Sequence, residues 1–313
     1  MKAAVVRAFD QAPHYEAFSP PADAEGTLVD VLAAALSPRV RSAASGRHYT
    51  SRGILPLVPG LDGVGRLADG RRVYFVAADD RLGTMADQTR AHPRLMVDLP
   101  ESLPAPTVAA AMLPAISSWV ALSKRSVLQR GQSVLVLGAT GTSGQLAVQI
   151  ARHLGAGRVV AAGRNAEALD RLRDLGASEV VRLGGTQADA GAVAAAASEV
   201  DIVLDYLWGQ VTTAVMPALC RRRQDESRAL DWVLIGSVAG DEIALSSVLL
   251  RKRNLRVLGS GQGAVSTAEM FSVSADVMAA GELRVRVREA PLADVERLWT
   301  AASASGERLV FVP

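Results

Sequence analysis

A glycine-rich segment between an apolar run and a helical pattern carries the strongest chemical signal in the sequence. The letters GATGTSG at residues 138–144 follow the run SVLVL at residues 133–137 and precede QLAVQIARHLGA. Glycines in such a turn let backbone N–H groups approach phosphate oxygens, and the start of a helix attracts negative charge. The GxxGxxG spacing differs from the commoner GxGxxG, so a tight turn that binds nothing is the alternative. The pattern predicts a pyrophosphate site at Gly138, Thr140, Gly141, Thr142, Ser143 and Gly144.

A cation follows the next apolar run. Gly163, Arg164 and Asn165 come directly after residues 158–162, and Arg164 lies 20 residues beyond Gly144. An acidic residue near this point would suit a free ribose 2′-hydroxyl, whereas a guanidinium suits a 2′-phosphate. Charge-assisted hydrogen bonds contribute about 1.5–3 kcal/mol each. The sequence therefore predicts NADPH rather than NADH as the cofactor, with a solvated arginine as the alternative.

Residue types that ligate metals are few and scattered. Cys220 is the single cysteine, and the four histidines, which are His14, His48, His92 and His153, show no paired ligand spacing. A catalytic zinc needs a clustered set of Cys, His and carboxylate ligands, so we predict no metal site and no intrachain disulfide. Alkoxide chemistry without zinc loses its usual stabilisation. Reduction of a conjugated carbonyl remains easier without a metal, because its own π-system activates the carbon that accepts hydride.

The composition indicates a soluble globular chain with room for two domains. Of the 313 residues, 49% are hydrophobic, and 34 Lys and Arg nearly balance 32 Asp and Glu. We therefore expect no nucleic-acid or membrane partner. The N-terminal apolar stretch ends at Arg7, which is too early for a signal peptide, and a cytoplasmic location is expected. The uncharged run at residues 102–123 contains three prolines and predicts buried helical segments, with a membrane span as the alternative.

Two sequence patterns divide the chain into regions whose helices and strands could position these residues. Up to about residue 113, short apolar segments alternate with Gly, Pro and Asp, which predicts a mainly β unit. From residue 132, uniformly apolar runs alternate with Ala- and Leu-rich helical stretches, which predicts a six-stranded parallel sheet covered on both faces. A pattern typical of strands returns near the end of the chain. We therefore predict one domain at residues 1–115, completed by residues 284–313, and a second at residues 116–283.

Several segments resemble one known family in their order and spacing. These are VPGLDGVGRLADGRRVYFV from residue 58, GTMADQTR from residue 83, MLPAISSWVAL from residue 112, the glycine-rich turn, and SGERLVFVP at the end. Together they resemble the medium-chain dehydrogenase/reductase superfamily, in its zinc-independent quinone oxidoreductase-like branch. Asp87 stands where that family usually has Glu. The resemblance implies an α/β fold with a GroES-like mainly β domain and a Rossmann doubly wound parallel sheet.

The resemblance also implies further contacts for NADPH, which would lie along the carboxyl ends of the parallel strands. An interdomain helix would supply Ser117 or Ser118. Ends of later strands would border the nicotinamide ribose with Gly236, Ser237, Gly259 and Ser260. Direct hydride transfer from such a cofactor depends mainly on proximity, orientation and exclusion of water.

The segment at residues 36–50 occupies the place of the family's substrate loop but departs from its pattern. The family commonly has N-x-x-D there, whereas residues 38–41 read Pro-Arg-Val-Arg. Tyr49 is the catalytic candidate, because a phenol in a dry cleft can orient an acceptor oxygen or donate a proton. The alternative for Tyr49 is a half-buried packing role. Arg39, Arg41 and Arg47 are expected to be solvated, with binding of an acidic substrate as the alternative.

These observations predict an NADPH-dependent reductase of quinones or α,β-unsaturated carbonyls. Two other hypotheses stay open: an enoyl-thioester reductase, and a nucleotide-binding or redox-sensing protein without turnover. The expected partner is a small-molecule substrate. A homodimer formed through the strand within RNLRVLGS, residues 253–260, is a candidate assembly.

Overall fold

The computed structural model describes residues 1–185, 187–281, 283–301 and 306–313. These residues form two compact units. One contains Met1–Leu113 and Val285–Pro313, and the other contains Pro114–Arg284. The predicted boundaries at 115/116 and 283/284 lie within two residues of these.

The elements are numbered in chain order. The chain begins with β1 (Lys2–Val5), β2 (His14–Ala17), β3 (Thr27–Leu36), α1 (Pro38–Ala44), β4 (Asp62–Arg66), β5 (Arg72–Ala77), β6 (Gln88–Asp98) and α2 (Ala105–Val120). It continues with β7 (Ser133–Leu137), α3 (Thr142–His153), β8 (Arg158–Gly163), α4 (Ala166–Asp174), β9 (Glu179–Arg182), α5 (Gln187–Ala197), β10 (Ile202–Asp205), α6 (Gly209–Arg222), β11 (Leu230–Leu234), α7 (Ser247–Lys252), β12 (Leu255–Gly259), α8 (Thr267–Ser272) and α9 (Ser274–Ala279). It ends with β13 (Arg286–Pro291), α10 (Val295–Leu298) and β14 (Glu307–Val312).

The first unit is mainly β, as the alternation of apolar and turn residues predicts. Its larger sheet has the order β13-β14-β3-β4-β5-β6, and β3 also pairs with β6, so the sheet curls on itself. Pairing in this sheet is antiparallel except between β13 and β14. Val29, Phe75 and Phe311 are fully buried in its core. Burial of each such side chain stabilises the fold by about 1.5–3 kcal/mol.

The substrate-loop expectation for residues 38–41 is wrong in its secondary structure, because they begin a helix. Pro38 occupies the first turn of α1, where its missing N–H costs nothing. The hydroxyl of Ser37 caps the helix by accepting from the N–H of Val40 at 3.2 Å. Val40 and Ala44 are buried in the core of the first unit. This part of the chain is therefore a packed element rather than an open loop.

Most of the uncharged run lies in one continuous helix that begins at Ala105, since a short π-helical turn, Ala121–Arg125, extends α2. Ala105–Arg125 is 21 residues long and apolar enough to cross a membrane by length and composition. However, 72% of its most apolar window is buried inside the protein, as in the core helix of a globular protein.

The second unit contains the predicted parallel sheet. Its strand order is β12-β11-β10-β7-β8-β9, and every pairing is parallel. The chain runs from β7 outward to β9 and then returns to the other side of β7, so the order reverses between β7 and β10. Leu135, Val203 and Trp232 are fully buried between the sheet and its helices. In open parallel sheets, ligands bind outside the carboxyl ends of the strands at such a reversal.

Candidate functional site

The glycine-rich turn leaves β7 at the reversal point and leads directly into α3. Gly138 has φ of +88°, a region that favours glycine. The N–H groups of Gly138 and Ala139 both donate to the carbonyl of Ala162 in β8, at 3.0 and 2.9 Å. Gln145 Nε2 donates to the carbonyl of Thr140 at 3.0 Å. These bonds fix the turn to the neighbouring strand and to the helix that follows it.

The glycines in and beside this turn are needed for different physical reasons. A Cβ at Gly144 would lie 2.4 Å from the carbonyl oxygen of Gly138, and a Cβ at Gly163 would lie 2.5 Å from Thr140 Cγ2. Both glycines are therefore required by packing. A Cβ at Gly141 would meet only the Gly138 oxygen, at 3.6 Å, among the residues that the structure describes. Gly141 is exposed, so it borders open space that a ligand can occupy.

The first turn of α3 offers unmet hydrogen-bond donors beside that space. Gly141 caps the helix without a side-chain bond, and no acidic residue lies in the first turn. The N–H groups of Thr142, Ser143 and Gly144 have no acceptor within the helix, and the helix dipole makes them favourable to negative charge. Thr140 and Thr142 are largely buried, whereas Ser143 is half-buried. This geometry fits a phosphate group held by backbone donors.

Arg164 and Asn165 follow β8 directly, but their side chains have different surroundings. Asn165 caps α4, because its Oδ1 accepts from the N–H of Ala168 at 2.8 Å. That oxygen is occupied by this bond, and the contact of Asn165 with the adenosine end of the cofactor stays a prediction. Arg164 is exposed and makes no hydrogen bond or ion pair with any residue in the described ranges. Its guanidinium is therefore available to an anion.

One of the two helix serines is hydrogen-bonded within the second unit. Ser118 is fully buried, donates to the carbonyl of Pro114 at 2.9 Å, and shares a 2.8 Å hydrogen bond with the hydroxyl of Tyr206. Ser118 therefore supports Tyr206, and a cofactor contact of Ser118 stays a prediction. Burial raises the pKa of Tyr206, so this phenol stays protonated at neutral pH. Ser117 is half-buried, and its cofactor contact stays a prediction.

The ends of β11 and β12 contain the remaining predicted contacts. Ser237 Oγ donates to Asp241 at 2.7 Å, and the Gly259 carbonyl accepts from Arg125 Nε at 2.7 Å, so both groups already have partners. Ser260 is 4% exposed, and its hydroxyl has no hydrogen-bond partner among the described residues. A buried hydroxyl without a partner costs free energy unless a ligand or water completes it. The contacts of Gly236 and Ser260 with a cofactor stay predictions.

Sequence reasoning missed Asp205 and Tyr206, which follow one another where β10 ends. The carbonyl of Asp205 accepts from the N–H of Gly236 at 3.1 Å, and the N–H of Tyr206 donates to Leu137 at 3.2 Å. The signal in the sequence was a single acid that ends the apolar run IVLD, residues 202–205. These residues bring the ends of β7, β10 and β11 together at the reversal point.

Comparison with known proteins identifies relatives of this chain. Residues 144–279 match the model described as "Zinc-binding dehydrogenase". Over 336 aligned residues, the chain is 26% identical to "Probable NADPH-dependent quinone reductase tdiC" of Emericella nidulans, with 94% of each protein covered. It is 30% identical over 166 residues to "NADPH-dependent alkenal/one oxidoreductase, chloroplastic" of Arabidopsis thaliana, with 48% of this chain and 43% of that protein covered.

A solved structure extends the likeness to the whole chain. The quinone oxidoreductase of Thermus thermophilus, also solved in complex with NADPH, matches with a TM-score of 0.80 at 25% identity and 100% coverage of both chains. The chain belongs to the medium-chain dehydrogenase/reductase superfamily, in its quinone-reductase-like branch. The resemblance drawn from the motifs is confirmed, and so is the predicted α/β fold class.

Although the family model is described as zinc-binding, this quinone-reductase-like chain shows no matching ligand cluster in the described part of its structure. No group of three or more His, Cys, Asp or Glu side chains there could hold a metal ion. Cys220 is buried, and burial raises the pKa of its thiol. His14 Nδ1 lies 3.2 Å from Glu296, and His153 packs beside the ring of Trp119.

In the first unit of this quinone-reductase-like chain, two expectations are wrong. Tyr49 is 70% exposed, with its ring 4.4 Å from that of His48, so it is not a half-buried packing residue, and its catalytic role stays a prediction. Arg39 and Arg41 are half-buried rather than solvated, and burial lowers the pKa of each guanidinium. Arg47 is exposed, as expected.

A buried carboxylate near Arg39 was also missed. Asp62 is 4% exposed and accepts a hydrogen bond from the hydroxyl of Tyr74 at 3.1 Å. Burial raises the pKa of Asp62 to about 6, and the positive charges of Arg39 and Arg308 oppose that rise. The only hint in the sequence was one acid inside the glycine-rich stretch GLDGVG. This cluster joins α1, β4, β5 and β14 within the first unit.

Proposed function

We propose that this chain is an NADPH-dependent oxidoreductase that transfers hydride to a quinone or an α,β-unsaturated carbonyl without zinc. The observation that carries the proposal is the start of α3, where unmet backbone donors surround open space at Gly141. The exposed Arg164 follows the next strand and supplies the cation that a 2′-phosphate requires. The NADPH in the names of the fungal and Thermus thermophilus relatives supports the same cofactor.

In this proposal, each part of the site binds one part of the cofactor. The amides of Thr142 and Ser143 donate to the pyrophosphate, and Arg164 pairs with the 2′-phosphate. The hydroxyl of Ser260 completes its hydrogen bonding with the ribose nearest the nicotinamide. NADPH supplies a hydride from C4 of its nicotinamide when it is bound. The chain contributes mainly proximity and orientation, so the chemistry does not depend on a titratable dyad.

Zinc independence rests on the side chains present. In the described ranges, no clustered set of ligands replaces the Cys and His that a catalytic zinc needs. Quinones and enones accept hydride at a carbon that their own π-systems activate, so they are the substrates that such a site can reduce. The name of the Arabidopsis relative, an alkenal/one oxidoreductase, supports the enone class.

A screen of acceptors with the purified chain, after dialysis against EDTA, tests the proposal. We expect quinones or enones to oxidise NADPH, and we expect added Zn²⁺ to leave the rate unchanged. Turnover of enoyl thioesters alone would favour the enoyl-thioester reductase. Binding of NADPH without turnover of any acceptor would favour the nucleotide-binding protein. A chain that binds no NADPH would refute all three hypotheses.

We also propose a homodimer that forms through β12. This strand is at the edge of the parallel sheet, and Val257 on it is 37% exposed. An open edge strand offers unpaired N–H and C=O groups to a second strand. Sedimentation velocity of the purified chain distinguishes the dimer from a monomer.

A further inference from the structure

The carboxylate of Asp205, the last residue of β10, collects donors from three separate parts of the second unit. Asp205 is fully buried. Its Oδ1 accepts from the N–H groups of Leu207 and Trp208, both at 2.9 Å. Its Oδ2 accepts from the hydroxyl of Thr212 in α6 at 2.5 Å and from the indole N–H of Trp232 in β11 at 2.8 Å. A buried negative charge is tolerated because four donors satisfy it.

The residues that this carboxylate holds have an unusual backbone. Trp208 has φ of 54° and ψ of −153°, and it is the only residue other than glycine with positive φ in the described ranges. Side chains with a Cβ rarely adopt this conformation, and it persists only where surrounding contacts impose it. Gly209 follows with φ of +54°, and a Cβ there would lie 2.2 Å from the carbonyl oxygen of Ala239. Residues 206–209 are called the wall segment below.

The wall segment lies directly against the glycine-rich turn. A Cβ at Gly138 would lie 3.1 Å from Leu207 Cδ2 and 3.2 Å from Tyr206 Cβ. β7 and β10 are neighbours at the point where the strand order reverses. The turn that follows β7 and the wall segment that follows β10 therefore form the two sides of the crevice in which parallel sheets bind their ligands.

We propose that Asp205 is a positioning residue for the dinucleotide, because its carboxylate fixes the wall segment against the turn at Gly138. The inference rests on the proposed function for the identity of the ligand. It goes beyond that function by assigning a role in binding to a residue that acts through Leu207 and Trp208. Loss of either carboxylate oxygen leaves two of the four donors without an acceptor, and Trp208 then relaxes towards a common backbone conformation. Leu207 moves with it, and the crevice loses its shape.

Asp205→Asn tests this role, since a carboxamide keeps the shape but turns an NH₂ group towards two donors. Asp231→Asn is the matched control. Asp231 is 4% exposed and bonded to Ser126 and Arg256, and it lies near the start of β11, at the opposite end of the same sheet. Calorimetric titration should show that Asp205→Asn raises the Kd for NADPH by roughly ten- to a hundredfold. We expect Asp231→Asn to leave that Kd unchanged.

Hydrogen exchange separates positioning from general loss of stability. In Asp205→Asn, the amides of Leu207 and Trp208 should exchange faster than in Asp231→Asn, and NADPH should no longer slow them. Thr212→Val removes one donor at constant shape and covers the case in which Asp205→Asn does not fold. It should raise the Kd by about two- to tenfold.

The outcomes of these experiments distinguish a failure of the role proposed for Asp205 from a failure of the proposed function. A wild-type chain that binds no NADPH refutes the proposed function, and this inference with it. Wild-type binding together with an unchanged Kd in the folded Asp205→Asn chain overturns the inference alone. If Asp205→Asn does not fold, an unchanged Kd in Thr212→Val does the same. Equal losses of affinity in Asp205→Asn and Asp231→Asn also overturn it, because they show a purely structural effect.

Discussion

Gly141 and Gly144 belong to the same turn but should respond to alanine in opposite ways. Gly141 has φ of −76° and ψ of 163°, which every residue adopts, and its missing Cβ faces open space. Gly141→Ala should therefore change the free energy of unfolding by less than about 0.5 kcal/mol. A Cβ at Gly144 would lie 2.4 Å from Gly138 O and 2.5 Å from Ala139 Cα. Because both are backbone atoms, Gly144→Ala should cost about 1–3 kcal/mol or more.

Gly141→Ala should weaken the binding of NADPH although it leaves the stability of the fold almost unchanged. In the folded Gly141→Ala chain, the new methyl group occupies the space through which a pyrophosphate reaches the amides of α3. Loss of one charge-assisted hydrogen bond corresponds to about 1.5–3 kcal/mol, or roughly a ten- to hundredfold higher Kd for NADPH. A stable protein with weak binding is therefore the expected outcome for this variant.

Thermal unfolding and calorimetric titration with NADPH measure the two effects separately. Gly191→Ala is a suitable control, because a Cβ there has no described neighbour within 4 Å and the residue lies in α5. Alanine in a helix is favoured over glycine by about 1 kcal/mol, so this variant should be slightly more stable and bind NADPH normally. Wild-type affinity in Gly141→Ala, or wild-type stability in Gly144→Ala, would refute the reasoning.

Two further predictions concern charged residues. Arg164→Ala should weaken NADPH much more than NADH in parallel titrations, because only NADPH has the 2′-phosphate; equal losses for both would remove that assignment. Asp62 has a pKa of about 6 in the folded chain against an ordinary value of 3.8, so its ionisation lowers stability as pH rises between these values. The difference corresponds to about 3 kcal/mol, and Asp62→Asn should melt higher than wild type at pH above about 7, with the gap closing towards pH 4. A variant that melts lower at neutral pH would show that pairing of the charge with Arg39 and Arg308 outweighs burial.

Features encoded locally were predictable from the sequence. The apolar runs at residues 133–137 and 158–162 match β7 and β8 almost residue for residue, because strands buried on both faces need uninterrupted apolar side chains. The turn at Gly138 and the start of α3 follow from glycines and a helical pattern within a few residues of each other. The helix α1 was missed, although Ser37 followed by Pro38 is a helix-start signal.

Roles that depend on distant partners were not predictable. The resemblance implied a cofactor contact for Ser118, and no local pattern showed its hydrogen bond to Tyr206, which is 88 positions away in the chain. The donors to Asp205 extend to Trp232, 27 positions away, and no local pattern announces them. Tyr49 was assigned from its residue type and its place in the segment at residues 36–50, and its exposure depends on how the first unit packs. Tertiary contacts decide such roles, and one sequence does not display them.

Residues 38–41 read Pro-Arg-Val-Arg where the family commonly has N-x-x-D, and the first unit gives a physical explanation for this difference. A helix that places Arg39 beside the buried Asp62 brings a cation to a carboxylate that burial disfavours. Arg308, 7% exposed, brings a second charge to the same carboxylate and donates to the carbonyl of Leu36 at 3.3 Å. Removing either arginine leaves the buried carboxylate of Asp62 with less opposing charge, which is destabilising. The arginines of α1 are therefore held by the interior of this unit, and their presence does not by itself indicate an acidic substrate.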